Sequence, residues 1–167
     1  FVVAFFGIGL ATYFTYSNQE VRLRNNVEGQ QEVNEAYFDK MWKIITQQAQ
    51  VSQQYEKAFR EIYPDLIKGR YDNQKGGLMS WIQEHNPEFD TSLFEGVMTS
   101  IKAERTGFFV EQKKLIALGV EHNNLLEVFP SSIFLFNRDA IDLVIIKSDK
   151  TEQVFKTGKE ELEPLFD

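Results

Sequence analysis

Residues 23–62, LRNNVEGQQEVNEAYFDKMWKIITQQAQVSQQYEKAFREI, decide the fold. Steps of three and four alternate along Leu23, Val27, Gln30, Asn34, Tyr37, Met41, Ile44, Gln48, Val51, Tyr55, Ala58 and Ile62, and only Gln30, Asn34 and Gln48 are polar. A period near 3.5 held for about forty residues marks a long helix packed in a bundle or coiled coil. Phe38, Trp42, Ile45 and Phe59 widen the stripe. The three polar seam positions read as register devices, the common role of a lone polar residue at such a site. Pro64 is the expected stop, since proline lacks the N–H and disfavours helix in the residue before it.

A rod with one apolar stripe needs a partner, and the chain supplies one. Phe94, Val97, Ile101, Glu104, Phe108, Glu111, Leu115, Leu118, His122, Leu125 and Phe129 repeat the spacing up to Pro130. The two runs therefore read as an antiparallel pair of long helices. Between them Leu78–His85 suits two helical turns before Asn86-Pro87, and Asp90 and Thr91 suit helix N-caps. Beyond Pro130, Ser131 or Ser132 would cap a short helix, and Ile141–Ile146 and Glu152–Phe155 flank a polar tract as a small β-hairpin would.

Upstream of the seam the composition changes. Every charged residue lies at or beyond Glu20, whereas FVVAFFGIGLATYFTY (1–16) is apolar or aromatic apart from Gly7, Gly9, Thr12 and Thr15. This stretch reads as a single-pass membrane helix running into the seam helix as one rod of roughly 60 residues. Sixteen residues reach only ~24 Å against a hydrocarbon core of about 30 Å, so the span is completed through Asn18 or is cut short at its start. Tyr13 and Tyr16 would sit at the lipid interface, and Arg22 and Arg24 just beyond favour a cytoplasmic bundle. Gly7, Ala11 and Thr15 share one face, a spacing that lets membrane helices approach closely. The expected organisation is an anchor over 1–19, a bundle over 20–136 and an extension over 137–167.

Composition bounds the chemistry. The chain has 167 residues, 43% of them hydrophobic, a net charge of −7 and no cysteine. That is enough chain for one core without disulfides or a structural metal. Thiol chemistry and cysteine zinc sites are excluded. The acidic balance, with no basic patch, argues against nucleic acid. Neither His85 nor His122 has the Glu three residues before it that a bundle di-iron site requires, and phosphate-loop, dinucleotide, zinc-protease and nucleophile-elbow patterns are absent. Glu84, His85, Glu88 and Asp90 form the best acidic cluster and read as a solvated turn. Glu104, Glu111 and His122 share a stripe but read as bundle contacts. No enzyme, metal or cofactor is expected.

Three stretches resemble the LemA family of bacterial membrane proteins. Asn18, Val21, Leu23, Arg24, Asn25 and Val27 are similar to its motif after the anchor. Tyr63-Pro64-Asp65-Leu66 is similar to its YPDL between long helices, and Asn123, Leu126, Phe129, Pro130 and Ser131 to the end of its last long helix. The order is the family's, although Trp42-Lys43 stands near the family's double Arg. The resemblance implies an N-terminal membrane helix and a bundle of long antiparallel helices in a bacterial or phage-infected cell envelope. The expected function is that of an all-α, non-enzymatic scaffold subunit, with the lipid bilayer and further copies of the chain as partners. Phe38, Trp42, Tyr71 and Trp81 are the candidate interface aromatics. The alternative is a pilin-like filament subunit, against which Phe5 stands where pilins carry Glu.

Overall fold

The computed structural model describes residues 2–72 and 77–146, and among these the fold is all-α. Helix α1 spans Val2–Gln48, α2 Glu56–Lys68, α3 Leu78–His85, α4 Phe94–Glu127 and α5 Ser131–Phe134. Two single 3₁₀ turns, Gln53–Tyr55 and Thr91–Leu93, lead into α2 and α4. The chain divides into two compact units, Phe1–Ala36 with Gly107–Val144 and Tyr37–Thr106 with Ile145–Asp167.

No helix among the described residues is long and apolar enough to cross a membrane. This overturns the expected single-pass anchor over 1–19 and the membrane location that went with it. The apolar run is diluted by Gly7, Gly9, Thr12 and Thr15 and ends at Tyr16, where Ser17, Asn18 and Gln19 follow. Helix α1 then carries on without interruption through the charged residues from Glu20 onward.

In the first unit α1 and α4 run antiparallel, as two widely spaced pairs require. Gln30 Nε2 donates to Glu111 Oε2 at 3.0 Å, and Glu20 Oε1 lies 3.1 Å from His122 Nε2. Leu23, Val27 and Leu115 fill the seam between those pairs, Phe108 is buried one turn beyond Glu111, and Leu135 is buried beyond α5. Asn34 is buried with its Oδ1 unpartnered among the described residues.

In the second unit α1 stops at Gln48 rather than running on to Pro64. Gln50 takes a left-handed backbone (φ 53°), and the Val51 N–H reaches back to the Ile45 carbonyl at 3.3 Å. A non-glycine residue seldom adopts this conformation, so no Gly or Asn marks the break. Helix α2 instead contains Pro64, whose side chain is exposed. Gly69 ends α2 at φ 87°, with its N–H on the Leu66 carbonyl and the Arg70 N–H on the Asp65 carbonyl. Breaking the rod at 49–52 lets Phe59 of α2 meet the rings of Trp42 (5.2 Å), Phe38 (5.5 Å) and Trp81 (5.8 Å). Met41, Ile45, Leu66, Ile67, Leu78, Ile82 and Ile101 complete this core.

Helix α3 has the expected bounds, and Asp90 Oδ1 accepts the Ser92 N–H at 2.9 Å. The expected β-hairpin is corrected. Ile141–Ile146 is neither strand nor helix, and Glu152–Phe155 lies outside the described residues.

Candidate functional site

Extending the α1 seam backward from Leu23 by three residues reaches Glu20. The same face therefore carries a carboxylate into the interior, where it is fully buried. An isolated ionised carboxylate there is costly unless donors and opposite charge replace the water it has lost. One turn on, Arg24 places Nε at 2.8 Å and Nη2 at 2.7 Å from Glu20 Oε1. From α4, His122 is equally buried and donates from Nε2 to the same oxygen at 3.1 Å. Oε2 has no hydrogen-bond partner among the described residues, but Arg138 Nε stands 3.8 Å from it.

Around this pair the backbone is tied in. Arg24 Nη2 donates to the Asp139 carbonyl at 3.1 Å, and the Ile141 N–H donates to Asn123 Oδ1 at 3.1 Å. That second bond identifies Asn123 Oδ1 as an acceptor, and the same oxygen lies 3.1 Å from His122 Nδ1. The imidazole thus stands between the Glu20 carboxylate and the Asn123 amide oxygen. Burial pushes the Glu20 carboxyl upward. The bonds from His122 and Arg24, with the charges of Arg24 and Arg138, outweigh it and hold the group below its ordinary value of 4.5.

The cluster is a charge-compensated polar core. Its carboxylate and imidazole are both fully buried. Among the described residues no three metal-capable side chains gather. The acidic turn is internally bonded: His85 Nδ1 lies 2.8 Å from the Trp81 carbonyl, and Asn86 Oδ1 accepts the Glu88 N–H at 3.3 Å. Glu104 stands 3.8 Å from Lys40 in the second unit. Glu111, in the first, bonds Lys114 at 2.7 Å as well as Gln30.

The interface aromatics are largely interior. Phe38, Trp42 and Trp81 are buried around Phe59, and Tyr71 is half-buried after α2. Their burial removes the first three from any outer face, because the turn at 49–52 folds α2 over the flank of α1 that a continuous rod would have left open. Gly7, Ala11 and Thr15 do share one exposed face, and a Cβ added at Gly7 or at Gly9 would meet nothing within 4 Å. Sequence reasoning missed Glu20 because the seam was started at Leu23. A charge at the next seam position, with His122 on the returning stripe and Arg24 one turn on, was the available signal.

Of the LemA-like stretches, Tyr63-Pro64-Asp65-Leu66 lies within α2 rather than between helices, and Phe129-Pro130-Ser131 lies at the turn from α4 to α5. Compared with models of protein families, with curated proteins and with solved structures, the chain finds no match.

Proposed function

We propose that the chain is a non-enzymatic structural subunit that works by self-association, with the first turns of α1 as its contact surface. One observation carries this reading. Phe6, Leu10 and Phe14, spaced at i and i+4 on a helix stretch without charge, are 74%, 60% and 53% exposed. Apart from Leu93 and Ile145, the large apolar side chains exposed among the described residues belong to the first unit, including Phe129, Ile133 and Phe136 around α5. Contiguous apolar surface of this kind marks association sites in proteins that remain folded.

The polar groups of the stretch do not compete with packing. Thr12 Oγ1 donates to the Ile8 carbonyl at 2.8 Å and Thr15 Oγ1 to the Ala11 carbonyl at 2.9 Å. Identical copies meeting here bring no like charges together, although each carries a net charge of −7. The LemA resemblance supports the helical-bundle frame of this proposal and adds nothing on activity.

Sedimentation of the full chain across a concentration series tests it. The expected result is a defined oligomer that Leu10→Glu dissociates with its helicity intact. A monomer at every concentration, or an oligomer indifferent to Leu10→Glu and Phe14→Glu, would remove the proposal.

A further inference from the structure

After α5 the chain has neither helix nor strand from Asn137 to Ile146, yet four points fix it to the first unit. Arg138 approaches Glu20 Oε2 at 3.8 Å, and the Asp139 carbonyl takes a bond from Arg24. The Ile141 N–H is held by Asn123 Oδ1, and Leu143 fills the notch left by Gly119, where an added Cβ would stand 2.5 Å from its Cδ1. The first three points converge on one group. Arg138 faces the Glu20 carboxylate directly, Arg24 grips both that carboxylate and Asp139, and Asn123 reaches it through the ring of His122.

We propose that residues 137–144 are a strap latched to the first unit by the ionised Glu20 carboxylate, and that protonating this carboxylate in acid releases the strap while α1 and α4 stay paired. The groups facing Glu20 are Arg24 from α1, His122 from α4 and Arg138 from the strap, while exposed Asp139 joins through its carbonyl. All three side chains are basic. Neutralising the carboxylate therefore removes the common counter-charge of Arg24 and Arg138 and leaves these two cations facing one another. Arg24 and Arg138 already reach solvent, with side chains 33% and 39% exposed, so they can separate into water, and Arg138 takes the strap with it. The helix pair keeps its apolar seam of Leu23, Val27, Phe108 and Leu115, which does not titrate.

The direction follows from the carboxyl being held below its ordinary value. The latch is complete above 4.5 and is lost as the pH falls through the lower value of the folded chain. Release uncovers Gly119 and the stretch of α4 beneath Leu143, a surface that a partner could then occupy.

The absence of native cysteine allows a single nitroxide at exposed Ala140 through Ala140→Cys. In the otherwise unaltered chain the label should be immobilised near neutral pH. It should become predominantly mobile on acidification below 4.5, before the helical circular-dichroism signal falls. Glu20→Gln should give the mobile spectrum at neutral pH. If that variant does not fold, Arg138→Met at a partly exposed position carries the same expectation. A label that stays immobile until the helices melt, or an Arg138→Met chain with an unchanged spectrum at neutral pH, overturns the latch.

Discussion

Gly119→Ala sets two effects of similar size against each other. Gly119 lies inside α4, where replacing glycine by alanine stabilises a helix by about 1 kcal/mol. The new Cβ would stand 2.5 Å from Leu143 Cδ1 and 3.1 Å from both Cδ2 and Cγ, too close for contact without movement. The obstacle is the end of one flexible side chain, so Leu143 withdraws and α4 does not distort. Full burial of a leucine is worth roughly 1.5–3 kcal/mol, so half-buried Leu143 forfeits about 1 kcal/mol when displaced. The single variant should therefore sit within a few tenths of a kcal/mol of the parent. Leu143→Ala alone should cost about 1 kcal/mol. The double variant has no clash and should recover the helix gain, returning close to the parent. The coupling between the two sites is then about 1 kcal/mol, measurable by a double-mutant cycle of urea midpoints followed by circular dichroism. Gly119→Ala that raises stability by the full helix gain and adds independently to Leu143→Ala would show that the strap does not rest in the notch.

Three further outcomes are expected. His122→Phe removes one of the donors to a fully buried carboxylate that Arg24 still holds and should cost about 1–3 kcal/mol near neutral pH. Because Glu20 loses its charge in acid, the gap between this variant and the parent in urea should narrow below pH 4.5. Phe59→Ala empties the centre of the aromatic core in the second unit, costing about 3–5 kcal/mol in denaturant titration and flattening the near-ultraviolet tryptophan bands. Gly69→Ala puts a side chain at φ 87° and its Cβ 3.3 Å from Arg105 Nη1, so about 1–2 kcal/mol should be lost in the thermal transition, and less with Gly69→Asn.

What the sequence could convey depended on whether the signal was local. The bounds of α3 followed from Asn86-Pro87, and Phe94 was legible as the start of the returning stripe, because turn chemistry and periodicity act over a few residues. The end of α1 was not legible, since it depends on Gln50 holding a backbone that glycine or asparagine usually takes. Pro64 misled for the converse reason. Its ring sits on an exposed side of α2, where the Arg60 carbonyl left without a helical donor can turn to water. The exposure of Phe38, Trp42 and Trp81 was misjudged because their neighbour Phe59 arrives only after that unseen turn. The apolar run at 141–146 resembled a strand, but Leu143 is used against Gly119 instead.

The buried Glu20–His122 contact also limits how the long helices can align. A seam of Leu, Val and Phe accepts a slip of one heptad at little cost, since each apolar side chain meets another after the shift. In the first unit Glu20 lies opposite His122. Moving α4 by seven residues would bring Leu115 or Phe129 there, burying the carboxylate against an apolar side chain without its imidazole donor. Arg24 stays bonded to the carboxylate from the same helix, but a buried carboxylate that loses one donor, with the imidazole losing its acceptor, still costs about 1–3 kcal/mol, which opposes the slip. A second pair restricts the same slip, because Gln30 would leave Glu111 for Glu104 or Leu118. Replacing both Glu20 and His122 by leucine should accordingly leave overall stability near the parent's while allowing more than one register. Two spin-label distances between α1 and α4 in the double variant, against one in the parent, would be the sign of it. A single unchanged distance would mean that Gln30 and the strap hold the register without the Glu20–His122 contact.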